Sequence, residues 1–147
     1  MPSVYLDTCA IQRPLDDLSQ LRVRVESGAV QALISAVEAG EVTLVTSSVL
    51  RFESENNPDP VKLDFARRVL GLAVEDVGAT ASVRVRASSY EKEGIKPLDA
   101  AHLASAVEAG ADYFCTADDA LLRKAKRANT EAVRVVSPLD LIAALQP

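Results

Sequence analysis

The sequence contains few of the residues that build disulfide frameworks and zinc sites. Its 147 residues include two cysteines, Cys9 and Cys115, a single histidine, His102, and no CxxC motif. Two cysteines are too few for a disulfide framework, and together with one histidine they supply a zinc site poorly. We therefore predict that both thiols are small buried side chains.

Long apolar segments are also missing. No apolar run approaches the roughly 18–20 residues that a helix needs to span a bilayer. The opening segment, from Met1 to Asp7, has no basic stretch of the kind that begins a secretory signal. We expect a cytoplasmic protein that does not contact membranes.

The composition is typical of a folded globular protein. Hydrophobic residues make up 48 % of the chain and charged residues 25 %, which argues against disorder. A chain of 147 residues is long enough to bury its own core. We expect a single domain that spans residues 1–147.

Strand-like and helix-like segments alternate along the chain. Short β-branched or apolar runs predict strands, and apolar residues that recur at helical spacing predict helices. Ser47 or Ser48 and then Thr80 are expected helix caps, and Pro97 is expected in a first helical turn. Strands are expected at residues 4–6, 42–46, 73–77, 113–115 and 133–136, and helices from 21 to just before Gly40, through Leu50 and Glu53, at 62–70, from Thr80 to near Gly94, and at 97–109, 119–127 and 138–145.

One short repeat marks two of the predicted helix ends. The hexapeptide Ser-Ala-Val-Glu-Ala-Gly occurs at residues 35–40 and again at 105–110. Both copies close a helix and precede a strand, and glycine can supply the left-handed residue that ends a helix. We interpret the repeat as the same stop signal in two helix–strand units.

The alternation predicts an α/β fold, a three-layer α/β/α sandwich with a central, mainly parallel sheet of four to five strands. In such sheets, ligands bind beyond the carboxyl ends of the strands, near the point where the strand order reverses. Asp7 and Asp118 follow predicted strands, and Glu53 lies about one helical turn beyond another. These three acids are expected at one edge of the sheet, whereas Asp99 must reach that edge from the first turn of a helix.

Each of these four acids also has an ordinary explanation. Asp7 could cap a turn or a helix, and Glu53 could be a solvated helix residue. Asp99 is favoured in a first turn by the helix dipole. Either Asp118 or its neighbour Asp119 could cap the next helix, and chemistry alone does not decide which of the two points inward.

Converging carboxylates would suit Mg²⁺ or Mn²⁺, because these hard cations prefer oxygen ligands. Two such ions can activate a water and stabilise the leaving oxygen in phosphodiester cleavage. Without metal the carboxylates would repel one another, and at least one should have a raised pKa. Two divalent ions would also bring the formal charge of −5 to −1, which weakens the objection that an acidic chain binds nucleic acid poorly.

Four short segments carry the four acids, and in their order and spacing they resemble the PIN-domain family of nucleases. The resemblance is greatest to the VapC-type toxins of bacterial toxin–antitoxin pairs, and it covers nearly the whole chain. The segments are Val4-Tyr5-Leu6-Asp7-Thr8, Thr46-Ser47-Ser48-Val49-Leu50-Arg51-Phe52-Glu53, Leu98-Asp99-Ala100-Ala101-His102-Leu103-Ala104 and Cys115-Thr116-Ala117-Asp118.

The resemblance implies a set of site residues and partners. It implies that the catalytic residues and metal ligands are Asp7, Glu53, Asp99 and Asp118, with Asp118 preferred over Asp119. It further implies Mg²⁺ or Mn²⁺ as cofactor, RNA as substrate, a homodimer, and a small antitoxin protein as partner. Many relatives carry Asn or Ser where Cys9 stands. The further candidates for supporting the site or contacting substrate are Thr8, Arg13, Ser47, Thr116 and Asp119.

For three features, the sequence leaves two interpretations open. Arg13 could contact a scissile phosphate or be an ordinary surface arginine. His102 could touch the site or be a hydrogen-bonded core histidine. The basic run Arg123–Arg127 could follow RNA phosphates or form a solvated helix face.

The leading hypothesis is a Mg²⁺- or Mn²⁺-dependent endoribonuclease, the toxin of a toxin–antitoxin pair, in which a metal-activated water attacks the phosphodiester. One alternative is an aspartate-dependent phosphotransfer protein, although an aspartyl phosphatase wants a second acid where Cys9 stands. Another is a catalytically silent RNA-binding module of the same fold. A Ser–His–Asp triad is not favoured, because His102 lies in an apolar segment.

Overall fold

The computed structural model describes residues 1–146, and Pro147, the last residue of the expected domain, lies outside that range. The strands are β1 Ser3–Leu6, β2 Thr43–Ser47, β3 Glu75–Val77, β4 Tyr113–Cys115 and β5 Arg134–Val136. The α-helices are α1 Thr8–Gln12, α2 Leu21–Glu38, α3 Ser48–Glu55, α4 Pro60–Leu70, α5 Ala81–Lys92, α6 Pro97–Glu108, α7 Asp119–Arg127 and α8 Pro138–Leu145, and a 3₁₀ turn, Arg13–Leu15, follows α1. Over the described range, no helix combines the length and apolar character that crossing a membrane requires.

The five strands form one parallel sheet in the order β3-β2-β1-β4-β5, which confirms the predicted sheet. Tyr5 in the central strand β1 pairs with Val45 of β2 on one side and with Phe114 of β4 on the other. The chain passes from β1 through β2 to β3 and then crosses to β4 on the opposite side of β1. The strand order therefore reverses between β1 and β4, and a ligand crevice is expected beyond their carboxyl ends.

Strand β1 is covered on both faces. Val4 and Tyr5 are 0 % exposed and Leu6 is 1 % exposed, a continuous buried run that is typical of a parallel strand with helices on both sides. Helix α2 packs against α8, and α5 packs against α6. The Tyr5 ring stacks on Phe114 of β4 with its centroid 5.7 Å away. The predicted three-layer α/β/α architecture is confirmed.

The helix ends predicted from Ser47, Thr80, Pro97, Gly40 and Gly110 are confirmed by their geometry, whereas α4 begins at Pro60 and not at residue 62. The side chains of Ser47 and Thr80 accept the backbone N–H groups three residues further on, at 3.1 and 3.2 Å. Pro97 lies in the first turn of α6. Gly40 and Gly110, the last residues of the two repeated hexapeptides, have φ angles of 77° and 67°. Both copies therefore end their helices in the left-handed conformation that glycine adopts without steric cost.

Helix α1 was not predicted, and it explains why the prediction for Cys9 is wrong. Five residues are too few for an apolar repeat to be recognised. Asp7 caps this helix at the end of β1, and Ala10 and Ile11 are its buried residues. Cys9 lies on the outer side of the turn and is exposed, whereas Cys115 in β4 is buried as predicted.

Candidate active site

Asp7 lies at the end of the central strand and is almost completely buried. It is 2 % exposed, and its Oδ1 accepts the Ala10 N–H at 2.9 Å. Its pKa is raised from 3.8 to about 6, mainly by burial and to a small degree by the charge of Asp99, although hydrogen bonds from the Thr116 side chain and the Ala10 amide act in the opposite direction. Asp7 is therefore a helix cap and also a desolvated carboxylate that a cation would stabilise.

The two adjacent acids at the start of α7 have different surroundings. Oδ1 of Asp118 accepts the N–H groups of Ala120 and Leu121 at 2.9 and 3.1 Å, so Asp118 is the helix cap. Asp119 makes a two-pronged ion pair with Arg22 of α2, at 2.6 and 2.7 Å. The hydrogen bond from Arg22 lowers the pKa of Asp119. Asp119 is therefore already paired, whereas Oδ2 of Asp118 has no hydrogen-bond donor within residues 1–146.

Glu53 is held by two donors on different helices. Its Oε1 accepts from the hydroxyl of Thr8 and from Nε2 of His102, the latter at 3.0 Å. The hydrogen bond from His102, followed by the one from Thr8, lowers the pKa of Glu53 even though burial opposes the charge. Both interpretations of His102 therefore apply. It is 1 % exposed, as a hydrogen-bonded core histidine would be, and it also contacts the candidate metal ligand Glu53.

Asp99 occupies the first turn of α6, as the sequence predicted. Over the described part of the chain, no hydrogen bond holds its carboxylate. Burial raises its pKa, and the negative charges of Asp118 and Glu53 raise it further, while His102 and Lys96 act in the opposite direction. The crowding of like charges is what a cluster of carboxylates without a cation produces.

The pKa of the Cys9 thiol is sensitive to all four predicted acids. Although the residue is exposed, desolvation by the surrounding protein and, to a lesser degree, four negative charges together raise this pKa to about 12. Those charges belong to the four predicted acids, Asp7, Asp118, Asp99 and Glu53. Side chains separated by up to 111 positions in sequence therefore act on a single atom at the β1–β4 crevice.

The donor chemistry fits a hard divalent cation better than zinc. Among residues 1–146, no group of three or more His, Cys, Asp or Glu side chains forms a preformed metal-binding site. Mg²⁺ does not need one, because it usually takes one or two carboxylates and keeps several waters. Oδ2 of Asp118 and the carboxylate of Asp99 are available oxygens, whereas the only imidazole is already used by Glu53. The residues present therefore fit a largely hydrated Mg²⁺ or Mn²⁺.

An open cleft of about 280 Å³ adjoins Asp118. Its wall includes Arg13, whose Nη2 lies 2.7 Å from Glu26 and whose Nη1 lies 3.0 Å from Asp16. The carboxylate of Glu26, which is 3 % exposed, also lies 3.5 Å from Arg22. Arg13 is therefore a fixed cation beside the carboxylates. The full lining is Cys9, Gln12, Arg13, Asp16, Ala117 and Asp118.

Sequence reasoning missed two residues of this region, Glu26 and Tyr5. Glu26 lies on the buried side of α2 with Val23 and Val30. A charged residue within an apolar stripe is a signal for a buried ion pair. Tyr5 stands in an otherwise aliphatic strand, where a buried hydroxyl needs a hydrogen-bond partner. Its partners are Ser47 and His102, at 2.6 and 2.8 Å.

Comparisons with known proteins show the family to which this fold belongs. The family model described as PIN domain matches residues 4–127, a range that includes all four acids. The chain belongs to the PIN-domain family. PIN domains are generally nucleases that use divalent metal ions, and membership of the family supports a hydrolase. A comparison with curated protein sequences gives no match.

Two solved structures have the same fold as this PIN domain. One is the crystal structure of VapBC2 from Rickettsia felis bound to a DNA fragment from their promoter, with a TM-score of 0.58 and 12 % identity over 92 % of this chain and 98 % of that chain. The other is PAE2754 from Pyrobaculum aerophilum, with a TM-score of 0.58 and 14 % identity over 98 % of this chain and 89 % of that one. At these identities the similarity shows the fold.

Proposed function

We propose that this PIN domain is a Mg²⁺- or Mn²⁺-dependent endoribonuclease that acts as the toxin of a type II toxin–antitoxin pair. The observation that carries the proposal is the placement of Asp7 and Asp118, which follow the neighbouring strands β1 and β4 and cap the helices that begin there. These strands flank the reversal point, which is where α/β sheets bind ligands. The donor set matches the oxygen preference of these cations.

In the proposed reaction the carboxylates would hold and orient a divalent cation, which, when bound, would supply an activated water as the nucleophile and stabilise the leaving oxygen. Asp7 contributes a charge that is desolvated by burial, and Asp118 presents the oxygen that its helix cap leaves free. Thr8 and His102 fix the Glu53 carboxylate. Arg13 lies at the cleft wall and donates to Glu26 through two nitrogens and to Asp16 through the third, so binding a phosphate oxygen would require it to exchange one of these partners.

The adjacent acids of α7 give a matched test of the proposed site. Asp118→Asn and Asp7→Asn should each lower RNA cleavage by at least about 100-fold, because the cation supplies several kcal/mol of charge stabilisation. Asp119→Asn should cleave within a few-fold of wild type, because Asp119 pairs with Arg22. The measurement is cleavage of end-labelled RNA with Mg²⁺, with Mn²⁺ and with EDTA.

Two results would contradict the proposal. Undiminished cleavage by Asp7→Asn would remove the assigned site, and equal losses in Asp118→Asn and Asp119→Asn would remove the distinction between these neighbours. Calorimetry with Mn²⁺ should show binding by wild type and weaker binding by Asp7→Asn. An absence of Mn²⁺ binding would favour the catalytically silent RNA-binding module.

The toxin role and the partners rest on similarity of fold. VapBC2, the toxin–antitoxin neighbour, covers 92 % of this chain. We therefore propose a small antitoxin protein as partner, a homodimer as the free state and RNA as the substrate. A gene for a small DNA-binding protein next to this one would support the pairing.

A further inference from the structure

The hydrogen bonds around His102 form one chain that runs from the start of α3 to Glu53. Oγ of Ser47 accepts the Leu50 N–H at 3.1 Å and lies 2.6 Å from the Tyr5 hydroxyl. That hydroxyl lies 2.8 Å from Nδ1 of His102, whose Nε2 lies 3.0 Å from Oε1 of Glu53. The three inner members of the chain are each at most 1 % exposed, so bulk water cannot replace their partners.

The chemistry of the two ends sets the direction of the chain. A carboxylate only accepts hydrogen bonds, so Nε2 of His102 carries the proton that it shares with Glu53. When the imidazole is neutral, its other nitrogen is an acceptor, and Tyr5 then donates to Nδ1. The Tyr5 oxygen in turn accepts from the hydroxyl of Ser47, whose oxygen already accepts from the helix. In this direction every buried donor has one acceptor.

We propose that His102 is a positioning residue that fixes the candidate metal ligand Glu53 in the orientation needed to bind a divalent cation. The inference rests on the proposed metal site. His102 and Thr8 both donate to Oε1, while Oε2 has no donor within residues 1–146 and is left for the cation. Removing such an outer partner of a metal ligand typically lowers metal affinity about 10–100-fold.

A purely structural role for His102 makes a different prediction. A buried, hydrogen-bonded histidine would contribute to the free energy of unfolding, and its loss would lower the thermal stability of the protein. It would not change the affinity of the folded protein for a cation. The two roles are therefore separated by measuring metal affinity and stability on the same variants.

The first experiment determines the direction of these hydrogen bonds in the wild-type protein. Because His102 is the only histidine, a ¹⁵N spectrum of labelled protein at mildly alkaline pH contains one imidazole. We expect the tautomer with the proton on Nε2, and a shift of the Nε2 resonance when Mg²⁺ is added. A proton on Nδ1, or no response to Mg²⁺, would overturn the proposal.

The second experiment compares two replacements of His102 by calorimetric titration with Mn²⁺. His102→Leu cannot donate to Glu53 and should bind Mn²⁺ about 10–100-fold more weakly. His102→Gln keeps an N–H donor and should recover most of the affinity. The control is Leu103→Val, a buried neighbour on the same helix, which should lower the melting temperature without changing the affinity. Wild-type affinity in a less stable His102→Leu would overturn the proposal.

A third variant keeps the inference testable if His102→Leu does not fold. Tyr5→Phe removes the donor to Nδ1 and leaves Glu53 untouched, so it should change the ¹⁵N tautomer pattern and weaken Mn²⁺ binding. If neither the tautomer pattern nor the affinity for Mn²⁺ changes, the hydrogen-bond chain does not position Glu53. Failure of the ribonuclease proposal looks different: wild type would bind Mn²⁺ with the expected tautomer and still leave RNA uncut.

Discussion

Asp7 is both the cap of a short helix and the most deeply buried of the four acids. Its burial comes from β1, which is covered on both faces, and its backbone N–H donates to the carbonyl of Cys115 in β4 at 3.1 Å. A pKa of about 6 instead of 3.8 means that the charged form costs on the order of 2–3 kcal/mol in the metal-free protein. The candidate site therefore holds a charge that weakens the fold of the metal-free protein.

This cost predicts that Asp7→Asn stabilises the metal-free protein at neutral pH. Between about pH 4 and 6 the folded state keeps a proton that the unfolded chain has lost, so the free energy of unfolding of wild type falls as the pH rises through that range. Asparagine has no charge to desolvate and should avoid this fall, giving a gain on the order of 2 kcal/mol above pH 6. Melting temperatures in EDTA across this pH range measure the difference.

The control for this prediction is Asp119→Asn. The pKa of Asp119 is lowered by Arg22, so its removal should not stabilise the protein. Adding Mn²⁺ should raise the melting temperature of wild type more than that of Asp7→Asn, because ligands that bind the folded state stabilise it. A metal-free Asp7→Asn that is less stable than wild type at neutral pH would contradict the argument.

Among the elements of the fold, α1 and α7 place two of the four candidate acids, because each helix begins close to the end of a strand at the reversal point. Neither is separated from its strand by a long loop, and Asp7 and Asp118 are their caps. This arrangement brings a carboxylate and a helix N-terminus to the same edge of the sheet. Helix α7 also contains the basic run that the sequence left open, with Arg123, Lys126 and Arg127 exposed to solvent.

The exposed cations of α7 should contact RNA phosphates. Arg123, Lys126 and Arg127 are three and four positions apart and share one face of the helix. Their combined replacement by alanine should weaken RNA binding and reduce the dependence of affinity on salt, by about 0.7 per lost contact on a log–log plot. The control is Lys124→Ala, because the Lys124 ammonium is bound to the carbonyl of Gly94 at 3.0 Å. An unchanged slope in the triple variant would favour a solvated face.

At the scale of the whole molecule, the sheet order β3-β2-β1-β4-β5 assembles the site. Strands β1 and β4 are neighbours although more than 100 residues separate Leu6 from its partner Cys115. The formal charge of −5 makes the molecule a poor general polyanion binder. Affinity for RNA is then expected to depend on bound cations and on the α7 face.

The proposed toxin role predicts a growth phenotype for the intact protein. Expression of wild type alone should arrest growth of a bacterial host, and Asp7→Asn, produced at the same level, should not, because the arrest depends on RNA cleavage. Co-expression of the proposed antitoxin should restore growth, and the antitoxin should form a complex with this chain. The measurements are growth curves and co-purification. Arrest by Asp7→Asn would show that toxicity does not come from the proposed site.

The sequence by itself determined the local structure. The spacing of apolar residues and the capping residues predicted the five strands and the helices from α2 onward. Prediction was possible because these signals act over a few neighbouring residues, as at Ser47, Thr80 and Pro97. They also placed Asp7 and Asp118 at strand ends. Helix α1 was not predicted because five residues are too few to show apolar residues recurring at helical spacing. The site role of Glu53 and Asp99 came from family resemblance rather than from spacing.

Only the tertiary structure decided which side chains meet. It paired Asp119 with Arg22, which left Asp118 as the cap, and it joined Tyr5 and His102 to Glu53 through contacts between different elements. It also buried Glu26 beneath Arg13 and left Cys9 exposed. These outcomes depend on the order of strands and on the packing of helices against one another. The contacts of Tyr5, His102 and Asp119 join residues more than 40 positions apart, and local sequence patterns carry no information over that separation.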